Sequence, residues 1–171
     1  MLDLRELTGD ELPLAEERLR AALDECQRLV ERQPTEADYA ALHAHIAHRL
    51  ASLLNHRTGI EHWQDPRGAH EMGDEARRLA ERAVDEGRSL VERFPESVAH
   101  RFWLARFESL RADIMLAQHR PDVASLALTE AIAALDEAEP TPASAVAIES
   151  LRERLKEHLE AISHLRPPPR E

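Results

Sequence analysis

Apolar side chains recur every three or four residues along most of this chain, which is the spacing of an amphipathic α-helix. Prolines and glycines interrupt the pattern at intervals, and a new helical pattern follows each interruption. The pattern predicts six helices, at about residues 9–32, 36–55, 73–93, 96–118, 121–138 and 142–165. We therefore predict an all-α fold of about six antiparallel helices that bury one another's apolar faces.

Four of these helices carry a recognisable start signal. Two begin with a capping-box pattern, in which a threonine is followed three residues later by an acidic residue. Two begin with a proline suited to the first turn, where a helix leaves its N–H groups unbonded. The residues are Thr8 with Glu11, Thr35 with Asp38, Pro121, and Thr141 with Pro142.

The second and third predicted helices are separated by an unusually long connection, "RTGIEHWQDPRGAHEM" at 57–72. Connections between helices normally have about 2–8 residues, and longer ones are often functional. Its glycines and Pro66 are residues that commonly end helices, and it contains Trp63, one of only two tryptophans. We predict a loop insertion here, in a single domain over residues 1–165, followed by a flexible Pro-rich tail at 166–171.

Short segments repeat along the chain. "LVERQP" at 29–34 recurs as "LVERFP" at 90–95, and "LDEAEP" at 135–140 is a looser third copy. Small residues also repeat at +4 and then +3 spacing. They are Ala76, Ala80 and Ala83, and again Ala124, Leu128 and Ala131.

With these spacings, and with Leu104 and Ala105 in "RFWLARFESL" (101–110), the chain resembles the elongated tetratricopeptide-type helical repeats of bacterial signalling proteins. Lys156 is the only lysine, which fits the Arg- and Ala-rich proteomes of such bacteria. The proline-ended segments lie further apart than the roughly 34 residues of the standard repeat. The resemblance implies stacked helix pairs with a surface that binds a peptide or another protein. A closed helical bundle is the alternative arrangement.

Charge and composition narrow the possible functions. The formal net charge of −11 disfavours nucleic-acid binding, which needs a basic face. We find no apolar run of the roughly 20 residues that would cross a bilayer, and no signal-peptide pattern at the N-terminus. We therefore expect a cytoplasmic protein without membrane insertion, whether the chain is whole or a piece of a longer one.

Six of the ten histidines fall between residues 42 and 70, which raises the question of a metal site. On a helix the apolar stripe through Leu42 and Ile46 leaves His43 and His45 on opposite flanks and His48 on the far side, so these three do not converge. Zinc normally takes three or four protein ligands. We expect solvated or singly hydrogen-bonded histidines. A metal-responsive domain is the alternative, with the candidate ligands His45, His48, His56 and His62.

The sequence offers no arrangement of residues typical of catalysis. It contains no Gly-x-Ser-x-Gly, P-loop or His-Glu-x-x-His pattern, and its single cysteine, Cys26, lies on an apolar stripe as expected for a buried, inert thiol. We expect a non-enzymatic interaction scaffold without a cofactor, which binds another protein or forms a homodimer. The candidate partner-binding residues are Trp63, Arg67 and His70. Trp63 is either a lid packed over a groove or an exposed anchor for the partner.

Overall fold

The computed structural model describes residues 11–63 and 65–164, and these residues form six α-helices and no strand. The predicted all-α fold of about six helices is confirmed. Thr8 and the tail at 166–171 lie outside the described residues. The helices are α1 (Glu11–Arg32), α2 (Ala37–Glu61), α3 (Pro66–Arg93), α4 (Val98–Ala117), α5 (Pro121–Asp136) and α6 (Pro142–Ser163).

The start signals of α5 and α6 act as predicted. Pro121 occupies the first turn of α5, and Thr141 caps α6 in a reciprocal capping box with Ser144. The capping box at Thr35 stays a prediction, and α2 begins one residue later than that box implies. The N-cap of α2 is Glu36, whose side chain forms no capping hydrogen bond.

The long loop predicted at 57–72 is also wrong, because helices cover most of it. α2 continues to Glu61 and α3 already begins at Pro66. The Asp65 carboxylate accepts a hydrogen bond from the Gly68 backbone N–H at 3.0 Å, so Asp65 caps α3 and Pro66 fills its first position. A β-carbon at Gly68 would crowd the Asp65 carboxylate, and this exposed side chain would have to shift from its capping position.

Two other helical glycines differ in what surrounds them, and this gives a paired prediction. A β-carbon added at Gly59 in α2 meets no atom within 4 Å, whereas one at Gly87 in α3 would lie 3.0 Å from the buried Phe107 ring. Gly59→Ala is expected to raise the unfolding free energy by about 0.5–1 kcal/mol, because alanine restricts the unfolded chain and favours helix. Gly87→Ala should give no gain, because the crowded ring offsets the same benefit. Urea unfolding of both variants checks this, and an equal gain at Gly87 would contradict the packing described.

The chain divides into two compact units, and the boundary lies between Glu86 and Gly87, within α3. The N-terminal unit contains α1, α2 and the first part of α3. The C-terminal unit contains the end of α3 with α4, α5 and α6. A single domain over 1–165 stays a prediction.

In the N-terminal unit, α1 and α2 pack together as a hairpin joined by four residues, and they are therefore antiparallel. The face that α2 buries differs from the predicted stripe. Leu42 is 47% exposed, while its neighbour His43 is completely buried. The buried residues of this helix are His43, Ala44, Ala47, Leu50, Ala51, Leu53 and Leu54.

In the C-terminal unit, α5 packs against both α4 and α6. The α5 residues singled out by their spacing, Ala124, Leu128 and Ala131, are all fully buried in this core. Small side chains on both α4 and α5 let the two helices approach closely. On α6, Ile148 is buried, whereas Val146 is 79% exposed.

Candidate protein-binding site at the turn between α2 and α3

Trp63 lies in the short turn between α2 and α3 and is 88% exposed. Its indole ring touches the His62 ring edge-on, with the ring centroids 5.6 Å apart. Ile60, at the end of α2, is half exposed as well. A tryptophan packed as a lid over a groove would be largely buried, so the lid interpretation is wrong. That Trp63 is an anchor for a partner stays a prediction.

Arg67 and His70, the other two candidate residues, lie on the first two turns of α3. They are three residues apart, so they share one side of the helix, and both side chains are largely exposed. Arg67 Nε donates to Glu71 at 3.2 Å, and His70 Nε2 lies 3.7 Å from an Asp74 carboxylate oxygen. Such exposed pairs contribute little to stability. A partner could therefore replace these contacts at little cost.

Ion pairs join α1 to the helices on both sides of the turn. At the end of α2, Arg57 pairs with Glu61 at 2.6 Å and also reaches Glu16 on α1. Near the start of α3, Glu75 accepts a hydrogen bond from Arg20 of α1 at 2.9 Å. This bond lowers the pKa of Glu75 against the opposing effect of burial. Because α1 is tied to both flanking helices, the exposed turn is held in place.

The histidines of α2 and of the turn lie in different surroundings. His43 is buried, and its Nδ1 lies 2.8 Å from a Glu86 carboxylate oxygen. The candidate metal ligands His45, His48 and His56 are half buried along α2, and His62 is exposed beside Trp63. Among residues 11–63 and 65–164, no three His, Cys, Asp or Glu side chains are grouped so as to hold a metal ion.

Cys26 is buried, as its place on the apolar stripe of α1 predicts. Its Sγ donates a weak hydrogen bond to the Tyr39 carbonyl oxygen at 3.5 Å. Burial raises the pKa of this thiol, and the negative charge of Glu86 raises it further. The thiolate is the reactive form of cysteine, so these surroundings suppress nucleophilic reactivity.

The C-terminal unit holds a feature that the sequence analysis missed. Glu108 of α4 is only 1% exposed, and two arginines bracket it. Arg88 lies 2.8 Å from one carboxylate oxygen, and Arg111 Nε lies 2.9 Å from the other. Both arginines also reach Glu130 of α5, at 2.7 and 2.8 Å. We call Arg88, Glu108, Arg111 and Glu130 the four-charge cluster.

The surroundings of Glu108 raise its pKa to about 7. Loss of solvation is the main cause, and it exceeds the opposing attraction of Arg111 and Arg88. The nearby Glu130 carboxylate adds to the rise. The one available signal in the sequence was an acidic residue inside the apolar segment "RFWLARFESL".

No protein-family model, curated protein or solved structure matches the chain. A function must therefore be argued from its own sequence and structure. In the described part of the chain, no helix combines the length and apolar character needed to cross a membrane.

Proposed function

We propose that this protein is a non-enzymatic helical scaffold that binds another protein or a peptide through the turn between α2 and α3. The observation that carries this proposal is the exposure of Trp63, at 88%. We define the turn surface as Ile60, Trp63, Arg67 and His70. Trp63 is its anchor, and Arg67 and His70 supply hydrogen-bond donors beside it.

Burying Trp63 against a partner would supply a substantial part of a binding free energy. A tryptophan buries about 150–250 Å² when it is covered, so at about 25 cal/mol per Å² the contact contributes roughly 4–6 kcal/mol. Part of that gain is lost to the entropy of association. Tryptophan and arginine are both enriched among the residues that dominate binding energies.

We further propose that the helices form a tetratricopeptide-like stack serving bacterial signalling or regulation. Two observations support this. Ala76, Ala80 and Ala83 on α3 are buried, as are the residues at the matching spacing on α5. Neighbouring helices also pack pairwise, α1 with α2 and α4 with α5. Stacked repeat units need buried small residues and pairwise helix packing, because each unit buries its apolar face against the next one.

Replacing Trp63 tests the proposal. Trp63→Ala is expected to change the unfolding free energy by no more than about 0.5 kcal/mol, as for other exposed positions. The same substitution should weaken partner binding by about 2 kcal/mol or more, which is roughly thirtyfold. Peptides selected on the wild-type protein from a random-peptide phage library provide the ligand, and calorimetric titration measures the affinity of each variant.

Val146→Ala is the matched control, because Val146 is also an exposed apolar side chain but lies on α6. It should bind the selected peptides as the wild type does. Peptides that bind Trp63→Ala with unchanged affinity would place the binding surface elsewhere. Unfolding of Trp63→Ala would show instead that the turn is structural.

A further inference from the structure

The four-charge cluster has no part in the proposed binding surface, and its composition is unusual for a helical core. It joins α3, α4 and α5 of the C-terminal unit through two guanidinium groups and two carboxylates. Each Glu108 oxygen faces one arginine, and the Glu130 Oε2 atom receives one N–H from each arginine. The formal charges cancel when both carboxylates are ionised. In such a balanced network the attraction between opposite charges offsets much of the cost of removing them from water, but the network adds little net stability.

Two features of the geometry favour proton uptake by this cluster. First, Glu108 and Glu130 both accept a hydrogen bond from the same arginine nitrogen, Nη2 of Arg88, at 2.8 and 2.7 Å. Two carboxylates so close repel when both are charged and are relieved by one shared proton. Second, Glu108 is buried, while the side chains of Glu130 and Arg88 are about two-fifths exposed. Protons can therefore reach the cluster without unfolding.

We infer that the four-charge cluster links protonation to helix packing. When the pH falls through neutrality, Glu108 takes up a proton, its repulsion with Glu130 is relieved, and the packing of α4 and α5 becomes more stable. The charged groups that face Glu108 are Arg88 from α3, Arg111 from α4 and Glu130 from α5. On α6, His158 Nδ1 lies 3.7 Å from an Asp113 carboxylate oxygen of α4.

The direction of the effect follows from proton linkage. In the unfolded chain Glu108 titrates at its usual pKa of 4.5, and in the folded protein its pKa is about 7. Between these values the folded state binds more protons than the unfolded state, so this group makes stability fall as the pH rises. Paired surface carboxylates such as Glu75, whose pKa is lowered, have the opposite effect. Glu108 therefore opposes the common trend of loss of stability in mild acid.

The test is a carboxyl titration of the full chain by ¹³C NMR. One glutamate carboxyl signal should titrate with a midpoint near pH 7, the pKa of Glu108, and that signal should be missing from Glu108→Gln. In Glu130→Gln the signal should persist with a midpoint lowered by about one pH unit, because the neighbouring negative charge is gone. A merely structural role of Glu130 would leave the midpoint unchanged.

Two results would overturn the inference. One is that no carboxyl signal titrates above about pH 5.5, since the raised pKa would then be absent. The other is a neutral-range signal that survives in Glu108→Gln. Both the titration of the wild type and that of Glu130→Gln remain informative if Glu108→Gln fails to fold, so the inference can be tested in every case.

Discussion

Replacing Leu128 with alanine is expected to lower the unfolding free energy by about 2–5 kcal/mol, the range for a leucine removed from a well-packed core. Leu128 is fully buried on α5, among small residues of α4 and α5 that hold the two helices close together. A cavity left there cannot close easily, because the neighbouring alanines are too short to fill it. Urea or thermal unfolding measures the loss.

Leu126→Ala on the same helix is the matched control. Its side chain is 56% exposed, so removing it takes away little buried apolar surface and should cost less than about 1 kcal/mol. The two variants carry the same chemical change two residues apart. Equal losses of unfolding free energy in the two variants would contradict the conclusion that α5 buries Leu128 and exposes Leu126.

Arg111→Met is expected to cost about 3–5 kcal/mol at about pH 8, because it leaves a buried charge without one of its two partners. At that pH the Glu108 carboxyl, with a pKa of about 7, is mostly ionised. Arg111 forms ion pairs with both carboxylates of the four-charge cluster, at 2.9 and 2.8 Å, and is itself mostly buried. The loss should be smaller near pH 5.5, because a protonated Glu108 carries no charge for the guanidinium to compensate.

A double-mutant cycle with Glu108→Gln isolates the interaction from the effects on packing. The combined variant should be clearly more stable than the sum of the two single losses implies, with a coupling energy of at least about 1 kcal/mol at pH 8. Unfolding free energies of the four proteins give this coupling. Additive losses would mean that Arg111 and Glu108 do not stabilise each other in the folded state.

Features set by a few neighbouring residues were predictable from the sequence. The starts of α5 and α6 follow from Pro121 and Thr141, because a cap or a first-turn proline acts within one turn of helix. The prediction of a loop at 57–72 failed because another local signal was overlooked. Its glycines counted as helix breakers, yet Asp65 and Pro66 form a start signal that leaves room for only a four-residue connection.

Features set by distant partners were not predictable. The periodicity of α2 favours Leu42 for the core over His43, but Glu86, 43 residues away, satisfies the buried imidazole nitrogen Nδ1. Glu108 likewise depends on Arg88 and Glu130, which lie 20 and 22 positions away along the chain. A burial pattern cannot show which charge will meet a buried polar group.

The candidate site is an intermediate case. An exposed tryptophan could be suspected from the connection that contains it, and the sequence left a lid and an anchor as alternatives. The distinction depends on whether any helix covers the ring. That is a tertiary property: the 88% exposure of Trp63 argues against the lid, and its role as an anchor stays a prediction.

Photo-crosslinking from position 63 tests the central proposal most directly. A photoreactive phenylalanine derivative replaces Trp63 in one protein and Val146 in another, and both are irradiated in cells of the native host. We predict that position 63 forms one dominant covalent adduct with another protein, and that position 146 does not form it. No adduct from position 63, or the same adducts from both positions, would contradict a partner-binding surface at the turn between α2 and α3.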